Sequence, residues 1–348
     1  MLPEGDPEGL AGGRTDGKES SPSSSAVNVP LLLLYVLIWY ASSAVCNTSA
    51  RKILTIYAPL PLWLSTAQFL LTTVVLHVYL YHIKRTPPPP LTNPDAKTVF
   101  YKVTFVYTLG FVFVNSGYLA VNVSLAETLR SAEPLFSVFF AKVMLKDEPV
   151  STLTMITLVP IVMGGVLSSG GDASFNLTGL LFVCFSNICF ALRSVFTKHL
   201  KQVYPANPIQ VFYEISKLGF LGVLILSLVF EIGVLFSGDA YQSYALLPAL
   251  IYGEDSIITS RSFAQIVLVN GITYAAYNQM SFLVLSMVTV VSHAVGNSLR
   301  RVVTIIASVY IFSNPISNQN AMGIVLAVGG VIAYSLSKSR DEAKARKG

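Results

Sequence analysis

Apolar residues run along this chain in stretches of about 20, separated by short polar breaks. Coiled as a helix, that length crosses a hydrocarbon core of roughly 30 Å. Ten spans are predicted, at approximately 29–50, 59–81, 99–120, 123–145, 151–169, 176–198, 208–236, 263–286, 289–313 and 320–337. The third and fourth nearly merge near Val121, and the eighth and ninth near Met287. Tight turns at the membrane surface are expected at both places. The predicted fold class is an all-α polytopic membrane protein.

The segments between and around the spans read differently. Residues 1–28 are rich in Gly, Pro, Ser and acids, the composition of a disordered tail. They lack the basic start and apolar core of a signal peptide, and they are too acidic for a transit peptide. The first span is therefore expected to act as the insertion signal. His82 to Thr98 forms a long loop whose Pro87–Pro90 run favours a semi-rigid extended connector. A second long loop, Ser237 to Arg261, is expected to lay its Tyr241–Tyr252 portion along the membrane surface. Residues 339–348 read as a basic tail.

Composition agrees with the pattern. The chain is 53% hydrophobic and 12% charged, against about 25% charged in soluble domains. Its mean hydropathy is +0.62. The three cysteines, Cys46, Cys184 and Cys189, lie in apolar runs and show neither disulfide nor metal-ligand spacing. A net charge of +5 needs no nucleic-acid partner, because basic loops orient membrane proteins. Ten spans put both ends on one side. That side holds Arg14, Lys18, Lys84, Arg85, Lys97, Lys146, Lys198, Lys201, Lys338, Arg340, Lys344, Arg346 and Lys347. The other holds Arg51, Lys52 and Arg261. The bias places both termini in the cytosol.

The chain also resembles itself. Leu145-Lys-Asp-Glu-Pro149 followed by Met163-Gly-Gly165 parallels Phe312-Ser-Asn-Pro315 followed by Val328-Gly-Gly330. The two prolines lie 166 residues apart. Halves of about 29–169 and 176–337, with five spans each, would be antiparallel in the membrane. Inverted repeats of this kind mark transporters with a midplane site between the halves.

Charge inside the spans carries the candidate chemistry. Lys102, Lys142 and Glu231 sit at span ends, where they reach the interface. Arg300 and Arg301 lie within 289–312, a stretch that contains no acid. A charge at the centre of a spanning helix costs about 3 kcal/mol. Adjacent helical positions point about 100° apart. One arginine is free to pair with Glu127 or Glu214 of another span, or both converge on a ligand entering between helices. Arg130 follows Glu127 by three residues on one helical face. Either the two close an internal pair, or Arg130 faces a cavity with Glu127 orienting it or carrying a proton. Arg193 either snorkels or faces inward. Glu214 and Lys217, also three apart, read as a structural pair or a gate. His293 reads as a packing histidine.

Arg130, Arg193, Lys217, Arg300 and Arg301 against Glu127 and Glu214 leave three positive charges in excess. An anionic substrate would balance them, and arginine's planar fork suits phosphate oxygens. Tyr277 and Asn278 offer hydrogen bonds to a hydroxylated substrate, or between helices. No hydrolase, zinc or P-loop motif is present, so neither an enzyme nor a cofactor is expected.

Three strings in the C-terminal half carry a resemblance: Tyr277-Asn278-Gln279, Ser292-His-Ala-Val-Gly-Asn-Ser-Leu-Arg-Arg301 and Asn314-Pro-Ile-Ser-Asn318. Two more lie earlier, Val123-Ser-Leu-Ala-Glu-Thr-Leu-Arg-Ser-Ala-Glu-Pro134 and Phe190-Ala-Leu-Arg-Ser-Val-Phe-Thr-Lys198. Together they resemble the triose-phosphate translocator family of the drug/metabolite transporter superfamily, close to the nucleotide-sugar transporters. The resemblance covers roughly residues 30 to 338 and implies ten helices in two inverted five-helix repeats. It also implies exchange of a phosphorylated metabolite for inorganic phosphate. On this match Arg130, Arg300 and Arg301 would hold the phosphate. Arg193 and Tyr277 would contact the organic part.

Departures from the family pattern bear on the cargo. Arginines stand at Arg130 and Arg300 where the family has lysines. Glu127 replaces a histidine. Phe111 and Val114 replace a histidine and a threonine, giving a more apolar pocket wall. The expected partners are a phosphorylated small molecule, inorganic phosphate and the bilayer, with the protein a monomer or homodimer. The expected membrane is that of the Golgi, endoplasmic reticulum or plastid envelope. A nucleotide-sugar/nucleoside monophosphate antiporter is the first alternative, and a non-transporting scaffold or a channel is another.

Tags at the two ends test the orientation. Both are expected to be reached by a membrane-impermeant probe only when the cytosolic face is opened to it; a tag protected on that face overturns the even span count.

Overall fold

The computed structural model describes residues 29–57, 59–144, 151–231, 254–287, 290–313 and 316–345. Every regular element among them is helical. Helix α1 (Val29–Lys52) runs on through a π-helical turn, Ile53–Tyr57, and α2 (Pro61–His77) through another, Val78–Ile83. There follow α3 (Pro94–Ala120), α4 (Val123–Arg130), α5 (Glu133–Met144), α6 (Thr152–Ile156) and α7 (Leu158–Gly170). The rest are α8 (Leu177–Val203), α9 (Pro208–Phe230), α10 (Glu254–Met287), α11 (Val290–Phe312) and α12 (Asn318–Ala345). Seven segments among the described residues are long and apolar enough to cross a membrane: α1, α2, α3, α6 with α7, α8, α9 and α12. The chain is a multi-pass membrane protein.

Local chemistry explains most of the ends. Asn93 accepts a hydrogen bond from the Asp95 amide just before Pro94, so α3 starts earlier than predicted and the Pro-rich loop is shorter. Asn176 accepts from Gly179 N at the start of α8. Asn207 and Gln210 close a reciprocal capping box at α9. The predicted turn at Val121 is present, with Val121 extended between α3 and α4. The predicted tail at 339–348 begins as helix, because α12 continues to Ala345.

The single span predicted at 123–145 is instead two short helices, α4 and α5, parted at Ser131–Ala132. Pro134 explains the break. Inside a continuous helix its ring would press on the Arg130 carbonyl, four residues back, and its nitrogen would give that carbonyl no hydrogen bond. Pro134 sits at the start of α5, where neither problem arises. Pro160 stands in the same relation to the break between α6 and α7. Several expectations lie outside the described residues: the tail 1–28, the Tyr241–Tyr252 segment, and the repeat anchors Pro149 and Pro315. So does the side chain of His293.

Burial is inverted relative to a water-soluble fold. Leu33, Leu37, Phe105, Val166 and Phe230 are all more than 60% exposed, as lipid contact requires. The interior instead holds Ser43, Ser65, Thr72, Asn115, Ser186, Asn270 and Thr304, each 2% exposed or less. Small and hydroxylated residues let helices approach closely where no water drives association. One large apolar core joins α1, α2, α3, α4, α8, α9 and α10. A smaller one sits where α5 and α7 meet α12.

Helix α7 crosses α12 antiparallel at backbone contact. Ile161 meets Gly330, Gly164 meets Ala327 and Ser168 meets Gly323. A Cβ at Gly164 would overlap the Ala327 backbone nitrogen, and one at Gly323 would overlap that of Ser168. Hydrogen bonds close both ends of the crossing. Ser168 Oγ donates to Asn320 Oδ1 at 2.6 Å, and Thr154 Oγ1 donates to Asp341 Oδ2 at 2.7 Å. The glycine pair noticed in the sequence is thus half structural: a Cβ at Gly330 would lie 2.9 Å from Ile161 N, whereas Gly329 has open space.

Gly323→Ala and Gly330→Ala should therefore destabilise the protein, by about 1–3 kcal/mol as for other overpacked sites. Gly329→Ala should be neutral. Thermal unfolding in detergent checks this, and equal melting of all three variants would contradict the crossing.

Candidate anion-binding site

The break at Ser131 places α4 as a short helix with every residue from Val123 to Arg130 buried. Glu127 is at its centre, 0% exposed. Its Oε1 accepts from Arg130 Nη1 at 2.5 Å and from the Tyr118 hydroxyl at 2.5 Å. Arg130 Nη1 also donates to the Tyr118 oxygen at 3.2 Å. The other carboxylate oxygen, Oε2, lies 3.6 Å from Arg301 Nη1 on α11. Arg301 Nη2 then reaches Glu133 Oε2, at the start of α5, at 3.2 Å. One carboxylate thus stands between two arginines from distant parts of the chain. In a low-dielectric interior such charges hold only as a group.

Arg300 turns away from this ion pair, as adjacent helical positions require. Its Nε donates to Asn297 Oδ1 at 3.0 Å and its Nη1 to Ser43 Oγ of α1. The guanidinium stands over the Tyr277 ring, 5.7 Å from the centroid. Arg193 packs on two rings, Tyr107 at 5.5 Å and Phe190 at 5.4 Å. Arg130 lies over Phe190 as well, at 5.7 Å. The Phe190 ring therefore links the α8 arginine to the α4 arginine.

A small cavity opens beside these groups. Its wall includes Phe111, Val114 and Tyr118 of α3, Arg130 of α4, Tyr274 and Tyr277 of α10, and Asn47 of α1. Phe111 and Val114, expected as a pocket wall, are 7% and 4% exposed and both line this cavity. Phe111 also meets Phe69, Tyr107, Phe190 and Tyr274 edge-on or tilted. Asn278 spends its amide on the Tyr274 carbonyl, at 2.9 Å, and accepts from Tyr107 at 3.3 Å. It steadies the tyrosines and does not line the cavity.

Glu214 and Lys217 do not join the cluster. They pair with each other, Lys217 Nζ to Glu214 Oε2 at 2.7 Å, and the Lys217 side chain is 47% exposed. The interior charge count changes with this placement. Lys217 and Glu214 drop out and Glu133 enters. Arg130, Arg193, Arg300 and Arg301 against Glu127 and Glu133 leave two positive charges in excess, where the sequence reading counts three. Glu133 lies inside the predicted 123–145 span but is left out of that count, and nothing in the sequence ties it to Arg301, 168 residues away. Tyr118 and Ser43 gave no signal in the sequence, since any buried tyrosine or serine looks alike there.

Outside the spans, Glu231 shows what an isolated buried acid needs. Its oxygens accept from the Leu62 and Trp63 amides, at 2.7 and 2.6 Å, and so cap the start of α2 from the end of α9. Burial still raises its carboxyl above the ordinary carboxylate value.

The chain is similar to several known proteins. The xylulose 5-phosphate/phosphate translocator of Arabidopsis thaliana is 29% identical over 93% of this chain and 74% of that protein. Phosphoenolpyruvate/phosphate translocator 1 of Oryza sativa subsp. japonica is 31% identical over 86% of this chain and 70% of that protein. A triose phosphate/phosphate translocator of Brassica oleracea var. botrytis is 29% identical, covering 90% of this chain and 73% of that one. A solved structure at 16% identity shares the fold, with a TM-score of 0.53 over 88% of this chain and 97% of that chain. The model of the Triose-phosphate Transporter family matches residues 31–335. With an arginine-lined interior and that match along nearly its whole membrane domain, the chain belongs to the Triose-phosphate Transporter family.

Proposed function

We propose that this protein is a secondary antiporter exchanging a phosphorylated metabolite for inorganic phosphate by alternating access. The metabolite is of the sugar phosphate, triose phosphate or phosphoenolpyruvate class, in keeping with the names its relatives carry. One observation carries the reading. Arg130 Nε and Arg301 Nη1 are buried and have no hydrogen-bond acceptor. Glu127 Oε2 approaches Arg301 Nη1 only to 3.6 Å, an ion pair longer than a hydrogen bond, so both donors stay open to the acceptor oxygens of a phosphate group. In this reading Arg130, Arg300 and Arg301 bind the phosphate. Tyr277 and Arg193 contact the organic part, Glu127 orients Arg130 and Arg301, and Phe111 and Val114 wall the pocket. The protein acts as a transporter and not as an enzyme.

The architecture behind the proposal is ten membrane-crossing units in two inverted five-unit repeats, α4 with α5 and α6 with α7 each forming one unit. Helix pairing supports it. The pair α1 with α10 corresponds to α8 with α3 when the halves are exchanged. The pairs α2 with α9, α4 with α11, and α7 with α12 map onto themselves. Both termini face the cytosol on the basic-residue bias, and the relatives' chloroplastic names favour the plastid envelope. Exchange, as opposed to uniport, follows from charge. An empty cavity with positive charge in excess is costly to close in the bilayer, and an anion removes that cost.

Protein reconstituted into phosphate-loaded vesicles should take up labelled phosphate far faster than into empty ones; equal uptake rejects exchange. Arg301→Ala should lower this exchange about 10- to 100-fold, the worth of a lost charged hydrogen bond. Arg130→Lys keeps the charge and should recover part of what Arg130→Ala loses.

A further inference from the structure

We propose that Asn47, on α1, is a specificity-determining residue that binds a carbonyl or carboxylate oxygen on the organic part of the substrate. The proposal rests on the transport reading above and deepens it. Asn47 is 6% exposed and lines the same cavity as Arg130 and Tyr277. Its Nδ2 has no hydrogen-bond partner.

The neighbouring amides make that vacancy specific. Gln68 and Asn115 also line the cavity, but their amide nitrogens are engaged. Asn115 Nδ2 donates to Ser65 Oγ and Gln68 Oε1, at 2.8 and 3.0 Å. Gln68 Nε2 donates to Asn270 Oδ1 at 2.9 Å, and Asn270 Nδ2 donates on to the Cys46 carbonyl at 2.8 Å. This chain of amides runs from Asn115 through Gln68 and Asn270 and ends on the Cys46 carbonyl, one residue before Asn47. A buried amide N–H without an acceptor is a cost that a protein carries only where something else supplies the acceptor.

The register of α1 says what that acceptor belongs to. Ser43, which accepts from Arg300, lies four residues before Asn47 and so on the same helical face. Four residues rise about 6 Å. Asn47 therefore stands one helical turn from an arginine assigned to the phosphate. An oxygen on the second or third carbon of a short phosphate ester has that reach. Phe111 and Val114 form the wall beside it and offer no hydrogen bond. The Tyr274 hydroxyl, also without a partner, lines the same cavity and can meet one further group; a short substrate with one strong acceptor fits this end better than a polyhydroxylated chain.

The test is counterflow in reconstituted vesicles with four probes: inorganic phosphate, dihydroxyacetone phosphate, phosphoenolpyruvate and glycerol 3-phosphate, the last with a hydroxyl in place of the carbonyl. Phosphoenolpyruvate serves as the carboxylate probe. Wild-type protein should prefer dihydroxyacetone phosphate or phosphoenolpyruvate over glycerol 3-phosphate. Asn47→Ala should raise the KM for the preferred probe roughly tenfold, the worth of one hydrogen bond. Asn47→Asp, which puts an acceptor where the donor was, should raise it further. For Asn47→Ala the KM for phosphate in phosphate/phosphate exchange should rise less than that for the preferred organic probe, and a thermal melt in detergent near that of wild type shows that the variant folds. A parallel fall of all exchanges in both variants, or no change in either, overturns the proposal. So does wild-type phosphate exchange with no preference among the organic probes. Absence of phosphate/phosphate exchange in the wild type would count against the transport reading itself.

Discussion

The Glu127 carboxylate is the interaction on which the rest of this interior depends. Two guanidinium groups cannot share a dry space without an anion between them. Glu127 supplies it, bonded to Arg130 within its own helix and facing Arg301 from the other half of the chain. Tyr118 adds a third donor to the same carboxylate. Removing one member of such a group leaves an uncompensated charge, which costs more than the pair contributes when intact. The cluster is therefore a structural tie between α3, α4 and α11, and it is where the proposed transport reading seats the anion.

A tie of this kind suits a carrier better than a saturated salt bridge does. The two acids near the site engage only part of what the arginines offer, and the remaining N–H donors stay inside the protein. Aromatic faces support the guanidinium planes in place of further acids. Tyr277 lies under Arg300, and Phe190 lies beside both Arg130 and Arg193. A π-face steadies a cation without neutralising it. The excess of two positive charges is thereby kept, where a third carboxylate would have halved it.

Much of this was legible in the chain itself. Span positions followed from apolar run length, whereas the caps at Asn93, Asn176 and Asn207 went unread, so α3 begins before the predicted position 99. Arg300 and Arg301 stood out because charge in an apolar run has so few explanations. The 123–145 span was misread because hydropathy averages over Pro134, whereas the backbone does not. The repeat was read on a proline followed by a glycine pair in each half, yet only Gly330 of Gly329–Gly330 touches the opposing helix. Which of two adjacent glycines faces a neighbour depends on helix rotation, and that is set by all the contacts along the helix.

The sequence by itself determined the medium, the helical content and the presence of unpaired positive charge within the membrane. These depend on composition and on spacing along one dimension, so one dimension suffices to read them. Only the tertiary structure decided how the charges group. It sent Glu214 and Lys217 to the exposed side and brought Glu133 to Arg301. It also left the Asn47 amide facing the cavity while its neighbours were satisfied. Those outcomes turn on which helix faces meet across gaps of more than 150 residues, as Arg301 and Glu133 do. Coulomb and hydrogen-bond energies act at contact distance, and contact between distant segments exists only once the helices have packed.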